Sequence, residues 1–350
     1  MTPIHPDFAE LVAAAEVLSP TTYVVLGETH RLDDPAAVAH EARAIAETPS
    51  GDLPGWALDE QMSEAHPLVQ AIRTTLYSRL YTRSTPAEFS SNPTARRSHC
   101  GALSEANSGN GSWEPGWQIA GEIDETGRVP VRKGGVTFWA LPAGVRTGAE
   151  LCPGTPCRVR VPKEFRNLVP GFYSAIGDPD LPEHPVPLLR LYWHLTASAA
   201  VPFLRSAATL FNAGAIPFRV KVLSDPATYN RADAGVLFLA REDWGRACEV
   251  IRDVYHRVAP ELRSPVPMFT KQLALGLGLA EDPSNGQTFG QHRCGLAALA
   301  LWRAFQSGIR GTQESRLAAL LTTFRDVGLD PTCPFLNPGS KDEYQFEFLS

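Results

Sequence analysis

The chain has 350 residues, 43% of them hydrophobic, and a formal net charge of −6. That length supplies one large core or two smaller ones. The acidic balance excludes a general nucleic-acid binder, so any anionic ligand must be met by a local cationic site. No apolar run approaches the roughly 20 residues of a membrane span, and MTPIHPDFAELV lacks the basic and apolar regions of a signal peptide, so a cytoplasmic protein is expected.

In chain order, helical periodicity covers 7–18, and TYVVLGETH (22–30) reads as a strand entering a turn. Helices are expected over 36–47 and about 65–83. The Ser-, Asn-, Gly- and Pro-rich stretch 84–118 reads as a long loop. It closes a mostly helical N-terminal region (1–130), and a second region spans 131–340. There, GVTFWALP (135–142), CRVRVP (157–162) and LLRLYWHLTA (188–197) read as strands, followed by an apolar helix at 201–213 between Pro202 and Gly214. Strands at 216–223 and 235–240 enclose a turn, and helices follow at 242–258, 291–305 and 315–328. Strands precede helices with one β-helix-β unit between, which indicates an α+β (mixed α/β) fold with a central sheet flanked by helices.

Two strands carry the candidate chemistry. In IPFRVKVLSD, alternation puts Arg219 and Lys221 on one face and Phe218, Val220 and Val222 on the other. In LLRLYWHLT, the same rule groups Arg190, Tyr192, His194 and Thr196 against Leu191, Trp193 and Leu195. Combined in one sheet, the polar faces gather a His, a Lys and several Arg, with Tyr229 and Arg231 in the turn beyond. Arg binds phosphate through a planar fork, a Lys crowded by cations has a lowered pKa and serves as a base, and a His beside a phosphate dianion is held protonated as an acid. That set suits β-elimination of a phosphorylated side chain. A solvated cationic face is the plainer alternative, and spacing alone does not decide between them.

Other motifs point elsewhere or nowhere. The six cysteines are scattered, which fits reduced thiols, and CPGTPC at 152–157 has no second pair at zinc-site spacing, so no metal is expected. GLGL at 276–279 lacks the dinucleotide spacing. LGETH resembles the turn of erythromycin-esterase-like hydrolases without further support. Trp113, Trp117 and Trp139 read as core or loop anchors, with a peptide groove as the alternative.

IPFRVKVLSD with TYNRADAGVLFLA, and YWHLT, resemble the Lys and acid strands of the bacterial phosphothreonine lyase effectors of the OspF/SpvC type. Over roughly 135–340 the chain resembles the HopA-type effector family, which includes stand-alone lyases of class V lanthipeptide and thioamitide biosynthesis. RLYWHLTASA, KVLSDPATYNRADAGVLFLA, FTKQLALGLGLAEDP and FGQHRCGLAALAL carry the likeness in order. The resemblance implies a phosphothreonine-lyase-like core, Lys221 as α-proton base, His194 as general acid and Arg231 as phosphate ligand, with no metal or other cofactor. Arg293, near a helix start, is a candidate second ligand. Where those effectors have a Lys two residues before the acid His, this chain has Tyr192, so Arg190 or Arg219 would compensate, or Tyr192 would hydrogen-bond phosphate or enolate. The implied function is elimination of phosphate from phosphoserine or phosphothreonine of a ribosomal precursor peptide, supplied by a separate kinase, with the N-terminal region as the candidate leader-binding surface. A non-catalytic interaction module and a lanthionine cyclase are the alternatives.

Overall fold

The computed structural model describes residues 3–32, 67–84, 92–166, 168–182, 184–308 and 312–346. The helix expected over 36–47 lies outside the described residues. The first helix, α1 (Asp7–Ala14), ends four residues early because the chain turns extended at Ala15. AEVLS alternates in burial and becomes β1 (Ala15–Ser19). The expected strand 22–30 is a hairpin, β2 (Thr22–Val25) and β3 (Glu28–Arg31), folded at Leu26 and Gly27, whose φ values of 52° and 78° fit a tight hairpin turn.

After α2 (Pro67–Thr75), which continues as a π-helical turn over Leu76–Tyr81, the stretch expected as one long loop is mostly structured. Its polar residues act as punctuation: Asn92 caps α3 (Pro93–Ala106) by accepting from the amides of Thr94 and Ala95, with Pro93 opening the helix. Strand β4 (Ser112–Ile119) follows. It joins β5 (Val129–Lys133), β6 (Val136–Ala140), β7 (Val145–Arg146) and β8 (Pro156–Val161) in an antiparallel accessory sheet of order β6-β5-β4-β8-β7. Trp117, Ile119, Val129, Val131, Cys157 and Val159 form its own small core. This sheet straddles the expected boundary at 130/131.

The central sheet has seven strands: β9 (Glu164–Phe165), β10 (Phe172–Ile176), β11 (Leu188–Trp193), β12 (Phe218–Leu223), β13 (Gly235–Ala240), β14 (Lys271–Ala274) and β15 (Leu277–Glu281). Their order is β14-β15-β11-β13-β12-β10-β9, antiparallel throughout. The β-helix-β unit is thus split, with β13 inserted between the parallel pair β11 and β12. Helices α4 (Ala197–Ala213) and α5 (Trp244–Val258) cover one face, where Phe203 and Tyr255 meet Trp193 and Phe211 meets Phe218. Tyr81 of the π turn and Phe289 of α6 (Phe289–Gln306) meet Tyr192 on the other.

The last helix, α7 (Gln313–Asp326), ties the N-terminus into the same core: Phe8 packs on Phe324 and Phe269 with ring centroids 4.9 and 5.1 Å apart. The N-terminal residues therefore share the hydrophobic core of the central sheet. Among the described residues no helix is long and apolar enough to cross a membrane. The architecture is α+β.

Candidate active site

The pairing register assembles the site. Tyr192 of β11 lies opposite Val236 of β13, which lies opposite Lys221 of β12, and Ser174 of β10 completes the row. The next row on the same face is Arg190, Phe238 and Arg219. Side chains in one transverse row point to one side, so Tyr192, Lys221, Arg190 and Arg219 share a face. Phe238 is its aromatic floor: Arg190, Arg219 and Lys221 lie over its ring at 5.1, 5.7 and 5.8 Å from the centroid. Phe218, Val220 and Val222 are buried on the opposite side, as alternation required.

Lys221 is half-buried, and its ammonium lies 4.6 Å from the Phe172 ring. Burial first, and then the guanidinium groups of Arg190 and Arg231, bring its pKa down to about 8 against the carboxylates of Asp233 and Asp282. Desolvation outweighs cationic crowding as the cause, the reverse of the emphasis drawn from sequence. Either way about a tenth of the amine is neutral at pH 7, far more than for an ordinary lysine.

His194 sits just past the end of β11. The expected strand 188–197 stops at Trp193 because Thr196 accepts from the amide of Ala199 and starts α4 four residues before the expected helix, leaving Pro202 inside it. Thr196 is consequently a cap rather than a member of the polar face. The His194 backbone is gripped on both sides: its amide donates to Gly276 O (2.9 Å) and its carbonyl accepts from Arg263 N (2.9 Å). The imidazole Nδ1 lies 2.8 Å from Pro265 O, which fixes the proton there and leaves Nε2 as the atom that exchanges a proton. Burial lowers the His194 pKa, opposed by that hydrogen bond and by Asp233. Gly276, the turn residue of the GLGL motif, has φ 69°, and a Cβ there would meet Arg263 O at 2.5 Å. That close approach accounts for glycine where a nucleotide motif was considered.

Two carboxylates that sequence reasoning passed over organise the arginines. Arg231 grips Asp233 through Nε (2.5 Å) and Nη2 (2.8 Å), and Tyr77 donates to the same carboxylate at 3.4 Å. Burial pushes the Asp233 carboxyl up, but Arg231 and Lys221 outweigh it and hold it below the usual range. The turn is tied to the end of the π segment by the amide of Ala232 donating to Thr82 O. Arg190, almost fully buried, pairs with Asp282 at 2.5–2.6 Å. Each guanidinium keeps unused N–H donors beyond those its carboxylate takes. Arg-x-Asp at 231–233, and an acid just past the strand GLGLAE, were the available signals.

Tyr192 is buried, hydrogen-bonds Tyr81 and has its phenol pushed up to about 12, chiefly by burial, so it is a neutral donor in place of a cation. Tyr229 is also inside, donating to Leu223 O at 2.6 Å. Arg293 does not join the group as a phosphate ligand. It is fully buried in α6, and its guanidinium is occupied by Pro334 O (2.8 Å), Leu336 O (2.9 Å) and His292 Nδ1 (2.6 Å). It anchors the segment that follows α7. Cys157 is buried and Cys152 exposed. Among the described residues no cluster of His, Cys, Asp and Glu is arranged to hold a metal.

Comparison with protein families places this face in context. Residues 164–336 match the HopA1 effector protein family. The matched segment holds the central sheet and every site residue above except Tyr77 and Tyr81. Solved structures that resemble the chain include two Pseudomonas syringae effectors. The effector protein from Pseudomonas syringae pv. tomato strain DC3000 is 17% identical, with a TM-score of 0.45, covering 87% of this chain and 97% of its own. The effector protein from Pseudomonas syringae pv. syringae strain 61 is 15% identical, with a TM-score of 0.43, covering 87% and 99%. No curated protein matches the sequence.

Proposed function

We propose that this protein is a phosphoserine/phosphothreonine lyase that acts on a ribosomally made precursor peptide after a separate kinase has phosphorylated it. The observation that carries the reading is the shared face of Lys221, Arg190, Arg219 and Tyr192, with Arg231 and His194 at its margin. Its lysine is held partly neutral, and its cations outnumber its carboxylates.

The chemistry follows from those groups. Neutral Lys221 removes the α-proton of the phosphorylated residue. The electron pair forms the Cα=Cβ bond and the Cβ–O bond breaks. His194, protonated on Nε2 when the phosphate dianion is bound, gives that proton to the departing oxygen. The products are dehydroalanine or dehydrobutyrine and inorganic phosphate. Arg231, Arg190 and Arg219 supply the remaining charge-assisted donors, and Tyr192 a neutral one, to the phosphate or the enolate-like carbanion. Arg231 and Arg190 are held in place by Asp233 and Asp282, so their forks are oriented before substrate arrives. No step calls for a metal or a nucleotide.

The test is incubation with phosphothreonine- and phosphoserine-containing peptides, reading phosphate colorimetrically and the peptide by mass. Phosphate release with a loss of one phosphoric acid supports the lyase. Loss of a thiol without phosphate release would indicate a cyclase instead, and binding without any mass change would indicate a non-catalytic module.

A further inference from the structure

Nine large apolar side chains stand exposed among the described residues, and four of them, Val136, Phe138, Trp139 and Leu141, fall within six consecutive positions. The first three are on β6, an edge of the accessory sheet with no strand beyond it among the described residues. Sheet edges are ordinarily blunted by charge, proline or a covering element. VTFWA has none of the first two, and Trp139 is 52% exposed.

The register shows what this edge offers. Gly134 and Gly135, at φ 53° and 80°, close a two-residue hairpin between Lys133 and Val136. In such a hairpin the flanking pair is hydrogen-bonded and the pairs then alternate. Pro130, which has no N–H, accordingly stands opposite Trp139 at a non-bonded pair. The N–H and C=O groups of Thr137 and Trp139 therefore turn outward.

The two faces of the edge differ in chemistry. Val136 and Phe138 lie on the apolar side, Phe138 edge-on to Trp117 with centroids 5.0 Å apart. The other side carries Trp139 and Thr137. Arg132 reaches across β6 on this side, its Nε donating to Thr137 Oγ1 at 3.2 Å. Farther along the same side, Arg146 and Arg160 lie 4.1 and 5.5 Å from the Trp113 ring. None of Arg132, Arg146 and Arg160 has an ion-pair partner among the described residues.

We propose that β6 is a docking strand for an extended peptide segment in which apolar and acidic side chains alternate. The segment adds antiparallel or parallel to the edge through the outward groups of Thr137 and Trp139. Its apolar side chains cover Val136 and Phe138, and its carboxylates face Arg132. A second copy of this chain paired edge to edge would bring up VTFWA again, which carries no carboxylate for Arg132, and this disfavours self-association. On the lyase reading, on which only the biological identity of the occupant rests, the segment belongs to the precursor peptide away from its phosphorylated residue. The docking surface then lies on the accessory sheet rather than in the N-terminal region.

The test uses the full chain and two end-blocked, fluorescein-labelled peptides of four Glu-Val or four Lys-Val repeats, titrated by fluorescence anisotropy. Wild type is expected to bind the Glu-Val peptide at least about tenfold more tightly than the Lys-Val peptide, as charge pairing at such an edge discriminates by more than 1.4 kcal/mol. Trp139→Pro, which removes one outward N–H, and Arg132→Glu, a surface change with no core partner, should each weaken Glu-Val binding about tenfold while the melting curve stays cooperative. Equal binding of both peptides, or undiminished binding by both variants, overturns the proposal. So does a wild-type dimer that Trp139→Pro converts to monomer, which would assign the edge to self-association. Neither probe carries phosphate and no turnover is read, so the outcome is independent of whether the lyase reading holds.

Discussion

Lys221 and His194 carry opposite protonation requirements, and the signs of their shifts fix the pH dependence. The active form needs Lys221 neutral and His194 protonated. Lys221 loses its proton near about 8 and His194 titrates below its ordinary value. Below both, kcat/KM rises with pH as the amine deprotonates; between them the two populations change oppositely and the rate is flat; above both it falls as imidazolium disappears. The profile is therefore a bell. His194→Ala should slow elimination by roughly 10² to 10⁴ and abolish the basic limb, leaving a rate that rises and levels off above about pH 8. An unchanged bell in that variant would remove His194 from the reaction. Lys221 also carries a stability prediction. Because the folded-state pKa of Lys221 lies below its unfolded value, the folded state binds the proton less well, and stability climbs as pH rises from about 8 toward the ordinary lysine value. Lys221→Met should erase that climb. At neutral pH it should stabilise the protein by roughly 1–3 kcal/mol, discounted for partial exposure, while ending turnover, the usual opposition of stability and activity at a site. Differential scanning calorimetry at pH 7 and pH 9 reads both effects, and a Lys221→Met melting temperature below that of wild type at pH 7 would contradict the burial-driven shift. The cationic face was legible in sequence because Arg219/Lys221 and Arg190/Tyr192 obey period two. Asp233 and Asp282 were not: Asp233 pairs with Arg231 two residues away inside a turn, where no period applies, and Asp282 meets Arg190 only through tertiary approach.

At the scale of elements, the Arg231 turn and the start of α4 decide how well the site is held. Arg231→Ala should weaken phosphopeptide binding about ten- to a hundredfold, the worth of roughly 1.5–3 kcal/mol for a charge-assisted contact. Binding of the unphosphorylated peptide should hardly change. Arg231→Lys should recover only part, because an ammonium cannot grip Asp233 and phosphate with one planar fork. Paired calorimetric titrations of the two peptides read this, and equal losses for both would assign Arg231 to the fold alone. Thr196→Ala should cost about 1 kcal/mol through loss of the α4 cap, seen as a lower midpoint in urea with an unchanged slope, whereas Thr196→Ser should be near neutral. Sequence periodicity located the strands at 188, 218 and 235 and the later helices well. It failed at 84–118, where Ser, Asn and Pro were read as loop composition. There Asn92 and Pro93 instead start a helix, and the aromatic residues of SWEPGW build a strand whose partners lie near 130 and 157.

Across the whole molecule, the N-terminal residues and the last helix join the core of the central sheet. Phe8, Phe269 and Phe324 meet there, all fully buried. Phe8→Ala should cost about 3–5 kcal/mol and lower the single unfolding transition seen by both tryptophan fluorescence and far-ultraviolet circular dichroism. Two separated transitions would show the N-terminal region to be an independent unit. Composition foretold a large core and a local cationic site in an acidic chain, but not that contacts more than 250 residues apart would unite the two ends. The proposed elimination turns on Lys221. Its most direct test is single-turnover phosphate release from a phosphothreonine peptide by wild type and by Lys221→Ala, with binding of the same peptide measured in parallel. Wild type should release phosphate and leave a dehydrated peptide. Lys221→Ala should bind within a few-fold of wild type and release phosphate at least about 10² more slowly. Near-normal release by Lys221→Ala would contradict the assignment of Lys221 as the base.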